Sequence, residues 1–486
     1  MSTSISLFAG LEPAPVWKHF ATLCDTPRAS KHEAAVRAKV EAWARAQGLD
    51  VTVDGAGNLI LRKPASPGRE GSPTVVLQGH LDMVCQANTG HAHDFSRDPI
   101  RPVVREGWVI AEHTTLGADN GMGVSMILAA LEDPTLAHGP LEALLTLDEE
   151  TGMTGAHGLA PGAITGRLML NLDTEDWGEF YLGCAGGLDV DVRGTAGVEP
   201  VPAGWETRAI TVRGLRGGHS GVDIHEGRGN AIKLLVGVIR ALRARGALRV
   251  ASMAGGTARN AIPREATAVV ALPREESASL DARLAAETAR LRAELGAVDP
   301  GVVVCAEPAA AQEVLRDVEA SRWLDALSSA PVGVRRMSAS VTGVVETSNN
   351  LGVLRLSPKE AWANLMVRSL VDAEAVALEA EIVALFAAHG LAGETSGAYP
   401  GWAPNPESSL LARCQAVYRG AYGRDAAVKV IHAGLECGII GAKYPGMDTV
   451  SFGPTIRGAH APGERVEVST VAGCYALLRE ILGSLT

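Results

Sequence analysis

No two of the seven cysteines in this sequence are spaced as Cys-x-x-Cys, and their number is odd. They are read as buried thiols of a reducing compartment, not as a disulfide framework or a thiolate metal site. No segment approaches the ~18 consecutive apolar residues of a membrane span. The N-terminal MSTSISLFAGLEPAPVWKHF lacks the basic flank and apolar stretch of a secretory leader. These absences predict a soluble, cytoplasmic chain without a membrane partner. Neither a Gly-x-Ser-x-Gly elbow nor a Gly-x-x-x-x-Gly-Lys loop occurs, which leaves serine-hydrolase and nucleotide-binding readings without their signatures. Aromatic residues are scarce, at 4% against 55 glycines, which suits tightly packed helix-on-sheet layers better than an aromatic-rich binding surface. Basic residues are outnumbered by acidic ones, 44 to 55, and the resulting charge of -11 argues against nucleic acid as a partner.

At 486 residues the chain exceeds what one hydrophobic core usually supports, so two domains are expected. In residues 1–187, HEAAVRAKVEAWARAQG has helical apolar spacing, LDVTVDGAGNLILRK reads as a hairpin, and SPTVVLQGH is a short continuous apolar strand. The helix MGVSMILAALED and the strands PLEALLTLDEE and GRLMLNLDTED follow. Short apolar strands separated by helices predict an α/β fold with a mixed, mostly parallel sheet covered on both faces. From Leu188 the character changes, as longer stretches such as WETRAITVRG and REATAVVALP flank the amphipathic helices GNAIKLLVGVIRALRARG and EESASLDARLAAETARLRAELG. Thr257-x-x-Asn260 is echoed by Thr347-x-x-Asn350. Residues 188–398 are therefore read as an inserted α+β domain with two βαβ-like halves. The Pro- and Gly-dense AYPGWAPNPESSLL marks its end, and residues 399–486 resume the α/β pattern and complete the first domain.

The run Asp148-Glu149-Glu150 ends an apolar strand, although like charges so close repel. Polar groups also end other expected strands: His80 and Asp82 after TVVLQG, Asp173 after LMLNL, and His460 in TIRGAHAPGE beyond DTVSFGP. Ligands of open α/β sheets bind beyond the carboxyl ends of the strands, so these residues are expected to converge. Asp119 joins them from TTLGADNGMG, ahead of a helix whose N-terminus favours negative charge; its plainer role is a helix N-cap. Histidine and carboxylate converging without cysteine suit zinc, manganese or cobalt in a hydrolytic site. Asp119, Glu150 and Asp173 carry three negative charges, which with one hydroxide neutralise two divalent cations. The expected arrangement has Asp119 bridging, His80 and Asp173 on one ion, Glu150 and His460 on the other, and a shared water activated for attack. Glu149 and Glu150, read as neighbours in extended chain, point opposite ways and leave Glu149 as general base. Asp82 holds the second nitrogen of His80. His219, in GGHSG, is a candidate donor to a developing oxyanion. His432 and Glu436 in VIHAGLECGII are read equally as pocket lining or as capping and packing residues, His225 as a surface residue, and His91, His93 and His113 as structural.

Taken together, GHLDMV, TTLGADNGMGV, LDEETGMTGA, NLDTED, GGHSG and HAGLECG resemble the aminoacyl-histidine (Xaa-His, carnosine-type) dipeptidases. These belong to a wider dizinc family that includes aminoacylases and glutamate-releasing carboxypeptidases. The resemblance runs over essentially the whole chain. It implies a phosphorylase/hydrolase-like catalytic domain interrupted by a lid, two divalent metal ions per chain (zinc first, manganese or cobalt as alternatives), and a small dipeptide substrate such as β-alanyl-histidine. It implies the same ligands, His80, Asp119, Glu150, Asp173 and His460, with Glu149 as base and Asp82 as orienting carboxylate. It further implies that His219 polarises the scissile carbonyl and that Asn260, Arg368 and Gly434 bind substrate, Arg368 at the terminal carboxylate. By the same resemblance the Asp119–Asn120 bond is cis. Many members carry a shorter lid that pairs between two chains. The longer lid here is expected to pair its two halves within one chain, with His219 acting in cis, in a monomer or homodimer. An N-acyl amino acid amidohydrolase or carboxypeptidase, and a catalytically silent metal-binding protein, are the alternatives.

Overall fold

The computed structural model describes residues 6–88, 90–339 and 341–485. The first five residues of the stretch read for a leader lie outside them. The chain forms two compact units: Met1–Gly183 with Pro404–Val430 and Leu435–Thr486, and Cys184–Ala403 with Ile431–Gly434. The inserted unit begins ahead of Leu188 because its strand Gly186–Arg193 starts earlier. It runs on to Ala403 because Cys184 bridges to Trp402. Among the described residues no helix is long and apolar enough to cross a membrane.

The first unit is built on an eight-stranded sheet in the order Asp50–Val53, Leu59–Lys63, Leu141–Thr146, Val75–His80, Leu168–Asn171, Asp448–Ser451, Glu179–Cys184, Ala427–Ile431. The four strands from Leu141–Thr146 to Asp448–Ser451 are parallel. The hairpin of Asp50–Val53 and Leu59–Lys63 joins them antiparallel on one side, and Glu179–Cys184 does so on the other. Strands Val75–His80 and Leu141–Thr146 are buried at every position, as parallel strands covered on both faces must be. Because the central strands run the same way, their carboxyl ends share one edge. A second, four-stranded sheet contains Ile456–Arg457, Arg465–Glu467, Trp108–Ile110 and Val103–Arg105, and the loop between its first two strands carries His460.

The inserted unit has one nine-stranded sheet made of two halves. In the first, the chain order is strand Trp205–Arg213, helix Ala231–Arg243, strands Arg249–Gly255 and Ala266–Pro273, helix Arg274–Leu295 and strand Val303–Pro308. The second repeats this strand-helix-strand-strand-helix-strand plan with Gly186–Arg193, Asp317–Ser329, Val345–Ser357, Glu360–Ser369, Asp372–Ala388 and Ala392–Tyr399. In both halves the first strand lies between the third and fourth, and all pairings are antiparallel. The halves join through their second strands, where Met253, Ala254 and Gly255 pair with Leu356, Arg355 and Leu354. The repeat is thus one of topology, related by a pseudo-twofold at that seam. The Thr-x-x-Asn echo does not mark equivalent positions: Thr257 and Asn260 follow the second strand of their half, whereas Thr347 and Asn350 lie inside theirs. Alternate residues Leu188, Val190 and Val192 enter the core with the helices, and Asp189 and Asp191 take the other face.

Candidate metal centre

His80 closes its strand and is fully buried. Its Nε2 lies 3.2 Å from Asp119 Oδ1 and 3.3 Å from Asp173 Oδ1. His460 Nε2 lies 3.2 Å from Asp119 Oδ2 and 3.0 Å from Glu150 Oε2. Asp119 therefore faces one imidazole with each carboxylate oxygen, and the five residues read as metal ligands come together around it. His80 Nδ1 faces Asp82 Oδ1 at 3.4 Å, longer than a good hydrogen bond. Asp82 is held by Ser30 Oγ (2.7 Å) and accepts the backbone N–H groups of Glu149 (3.0 Å) and Glu150 (3.2 Å). Besides facing the His80 ring, it thus fixes the turn that carries the acidic pair.

That turn corrects one expectation. Asp148 has a φ of 57°, so the chain leaves extended geometry before Glu149, and the rule that neighbours point to opposite sides does not apply to the pair. Asp148 itself is a turn residue. Its carbonyl accepts Gly152 and Met153 N–H, its carboxylate accepts Thr154 Oγ1 at 2.8 Å, and its own N–H donates to Glu33 Oε1 at 3.0 Å. The carboxylate run is therefore divided, one member serving the fold and two facing the site.

Two buried residues without a legible sequence signal hold the loops. Glu464, four residues after His460, accepts the backbone N–H groups of Leu116 (2.6 Å), Gly117 (2.9 Å), Ala118 (2.8 Å) and Asp119 (3.3 Å). It satisfies the helix start that Asp119 was a candidate to cap. Asp119 and Asn120 have non-helical backbone angles there, and the bond between them is cis. Arg28 donates to the carbonyls of Leu81 (3.1 Å), Asp82 (2.8 Å) and Gly117. Gly117 has a φ of 70°, and a Cβ there would come within 2.3 Å of the Arg28 guanidinium, so both its conformation and its size require glycine.

Electrostatics fit a cation. Burial opposes charge on His80, but Asp173 and Asp119 outweigh it and hold its pKa well above the ordinary histidine value. Asp119 and Glu150 push His460 up to about 11. Burial, then Asp119 and Glu150, raises Asp173 to about 7. Burial, reinforced by Glu150, Asp173 and Glu436, holds Glu149 well above the carboxylate range. The buried atoms Glu150 Oε1 and Asp173 Oδ1 have no hydrogen-bond partner among the described residues. Ligand atoms of His80, Asp119 and Glu150 all lie within 4.8 Å of one another. Unsatisfied carboxylate oxygens beside imidazoles, with no thiolate, are a donor set for a divalent ion of the zinc, manganese or cobalt kind.

The inserted unit carries its own polar cluster. Arg368 is buried and donates to Tyr399 OH (2.8 Å) and Ser220 Oγ (3.4 Å). Gly434 packs against Tyr399, which a Cβ would approach to 2.8 Å. His219 Nδ1 accepts Gly221 N–H (3.2 Å) and Val222 N–H (3.0 Å), which leaves the proton on Nε2 as a donor. His432 shares a hydrogen bond with Ser348 Oγ at 2.8 Å; burial, then Arg368 and His219, lowers its pKa to about 3, so it is neutral. The Asn260 side chain is exposed, and its carbonyl accepts Ser220 N–H at 2.8 Å. His225 is exposed, and His91 stacks on His113 at 4.8 Å between centroids. The motif HAGLECG is thus split, with His432 and Gly434 in one unit and Glu436 in the other.

Two histidines, three carboxylates and an adjacent glutamate, brought together from the carboxyl edge of the parallel strands, the helix start at Asp119 and the loop carrying His460, are the arrangement of a metallohydrolase class. Residues 210–299 match the peptidase dimerisation domain of the M20 family. The chain is 40% identical over 479 residues to the cytosol non-specific dipeptidase of Escherichia coli (strain K12), covering 98% of this chain and 99% of that one. It is 44% identical to the aminoacylhistidine dipeptidase of Vibrio alginolyticus, whose crystal structure superposes with a TM-score of 0.86 over 99% of this chain and 98% of that one. The aminopeptidase PepT of Bacillus cereus, 16% identical with a TM-score of 0.56 over 98% of this chain and 99% of that one, shares the fold. The chain belongs to the M20 metallopeptidase family, among its dipeptidases.

Proposed function

We propose that this protein is a metal-dependent dipeptidase acting on Xaa-His dipeptides such as β-alanyl-histidine. The observation that carries the reading is Asp119, whose two oxygens face His80 and His460 separately, beside the Glu149–Glu150 turn. His80, Asp119 and Asp173 would hold one divalent ion and Asp119, Glu150 and His460 a second, zinc being favoured by the donor set. When bound, such a pair supplies Lewis acidity to the scissile carbonyl and lowers the pKa of a shared water to about 7. Glu149, carried on the same turn as Glu150, accepts the proton of the attacking water and delivers it to the leaving amine. Asp82 keeps the His80 ring and the Glu149 turn in register. His219 donates from Nε2–H to the developing oxyanion. Arg368, pre-oriented by Tyr399 and Ser220, takes the terminal carboxylate, with Asn260 and Gly434 as further substrate contacts.

The pairing of Arg249–Gly255 with Val345–Ser357 supports a lid completed inside one chain. Glu149→Ala is the decisive test. Turnover of β-alanyl-histidine should fall by several orders of magnitude while metal content by elemental analysis stays at the wild-type level. Loss of metal together with activity would make Glu149 a ligand instead. A parallel panel of dipeptides and N-acetyl amino acids separates dipeptidase from acyl-amidohydrolase, the second predicting preference for the acylated substrates.

A further inference from the structure

Central strands of a parallel sheet are ordinarily apolar on both faces. Here four of them carry, near the carboxyl end, a fully buried polar residue that is not one of the candidate metal ligands: Thr146, Gln78, Asn171 and Ser451. Gln78 is in register with Asn171, and Asn171 with Ser451, so these three form a row across the sheet. Asn171 Nδ2 donates to Gln78 Oε1, and Ser451 Oγ donates to Asn171 Oδ1. The row ends on Glu436, at the start of the helix Glu436–Lys443, whose Oε2 accepts Gln78 Nε2 (2.7 Å) and Thr146 Oγ1 (2.5 Å). Glu436 is itself fully buried, and its Oε1 has no hydrogen-bond partner among the described residues.

The spacing relates this row to the metal centre. Gln78 is two residues before His80, Asn171 two before Asp173, and Thr146 three before Glu149. Stability alone does not account for it, because exchanging a buried polar network for apolar residues of similar volume is often neutral or stabilising. Directional hydrogen bonds do something apolar packing does not: they fix how far each strand is advanced relative to its neighbours. We propose that Glu436 is a positioning residue for the metal centre, anchoring the Thr146–Gln78–Asn171–Ser451 row and so setting the relative heights of the strand ends that carry His80, Asp173 and the Glu149–Glu150 turn. The inference rests on the metal reading above and deepens it. Burial pushes the Glu436 carboxyl up to about 7, which lets it occupy this position without a full uncompensated charge.

The test uses the full chain, stripped of metal and titrated with zinc against a fluorescent chelator, with circular dichroism reporting the fold. Glu436→Gln keeps an acceptor for both donors and should bind zinc within about threefold of wild type. Glu436→Leu removes it and should weaken zinc binding by about 10- to 100-fold, as loss of supporting partners does in other metal sites. Thr146→Val, which removes one donor with little change in shape, should move affinity in the same direction and decides the matter if the leucine variant does not fold. A folded Glu436→Leu or Thr146→Val protein with wild-type zinc affinity overturns the inference, and so does a Glu436→Gln loss as large as that of Glu436→Leu. Wild-type protein that binds no zinc overturns the metal reading itself, an outcome seen before any variant is made.

Discussion

Replacing Glu464 by alanine removes a carboxylate that no substrate needs to touch, and yet the variant should lose both stability and metal. Glu464 is 2% exposed, and its two oxygens accept four consecutive backbone N–H groups, three of them at 2.6, 2.9 and 2.8 Å. Hydrogen bonds to a charged group contribute roughly 1.5–3 kcal/mol each, so the three good ones amount to about 5–9 kcal/mol before any relaxation. Bonds within one network are not additive, and water entering the vacated space recovers part of the loss. Against that, the buried Arg28 guanidinium loses a nearby compensating charge. A net cost of about 3–5 kcal/mol is the result, the range typical of breaking a buried charged pair. This is a large fraction of the 5–15 kcal/mol that usually separates folded from unfolded protein. Glutamine offers only one acceptor oxygen and turns its amide hydrogens toward the remaining N–H groups, so Glu464→Gln should recover about half. Urea unfolding at 25 °C gives the stability. Hydrogen exchange of the peptide spanning Thr114 to Met122 gives the local effect, since Leu116, Gly117 and Ala118 N–H become unprotected. Zinc affinity should fall by about tenfold or more because Asp119 is no longer held. Unchanged exchange at those amides with an unchanged midpoint would refute the account. A lower midpoint with wild-type zinc affinity would leave Glu464 a structural cap that does not position Asp119.

Two further outcomes follow from the same geometry. Without metal, His80 and His460 are held protonated at pH 7 by their carboxylate neighbours, and ligation requires neutral imidazole; with Asp173 raised to about 7 and also needed as carboxylate, zinc binding should release at least two protons, and affinity should fall as pH is lowered. Calorimetry in buffers of different ionisation enthalpy measures the release, and a value near zero would contradict the ligand assignment. Mixing His219→Ala protein with Glu149→Ala protein should restore no activity if His219 serves its own chain, whereas recovery on mixing would assign it to a partner.

What could be read in the sequence and what could not divide along a physical line. His80, Glu149, Glu150 and Asp173 are visible because a parallel strand buried on both faces reads as a short apolar-rich run, and the ionisable residues that follow it mark the strand end. The conformation of what comes next is not marked in that way. The left-handed backbone at Asp148 depends on two N–H groups from the following turn and on Glu33, and nothing in the spacing of LLTLDEE distinguishes it from extended chain. Glu464 and Arg28 are illegible for a related reason. Their partners are backbone groups, which every residue has, so no side-chain pattern is needed at the other end, and the Glu464 contacts span some 345 positions of chain. In the inserted unit, periodicity identifies the helices and strands correctly, but the repeated Thr-x-x-Asn falls at non-equivalent positions, because duplication there is kept in strand order and not in local motif. The row under the metal centre is the opposite case. Gln78, Thr146, Asn171 and Ser451 are polar residues near the carboxyl ends of the buried central strands VVLQGH, LEALLT, LMLN and DTVS, and a buried polar group demands a partner. Four such residues near the same ends of neighbouring strands are most economically satisfied by each other, so the row could have been inferred before any coordinates. Only Glu436, reaching it from a helix nearly three hundred residues away from Thr146, required the fold.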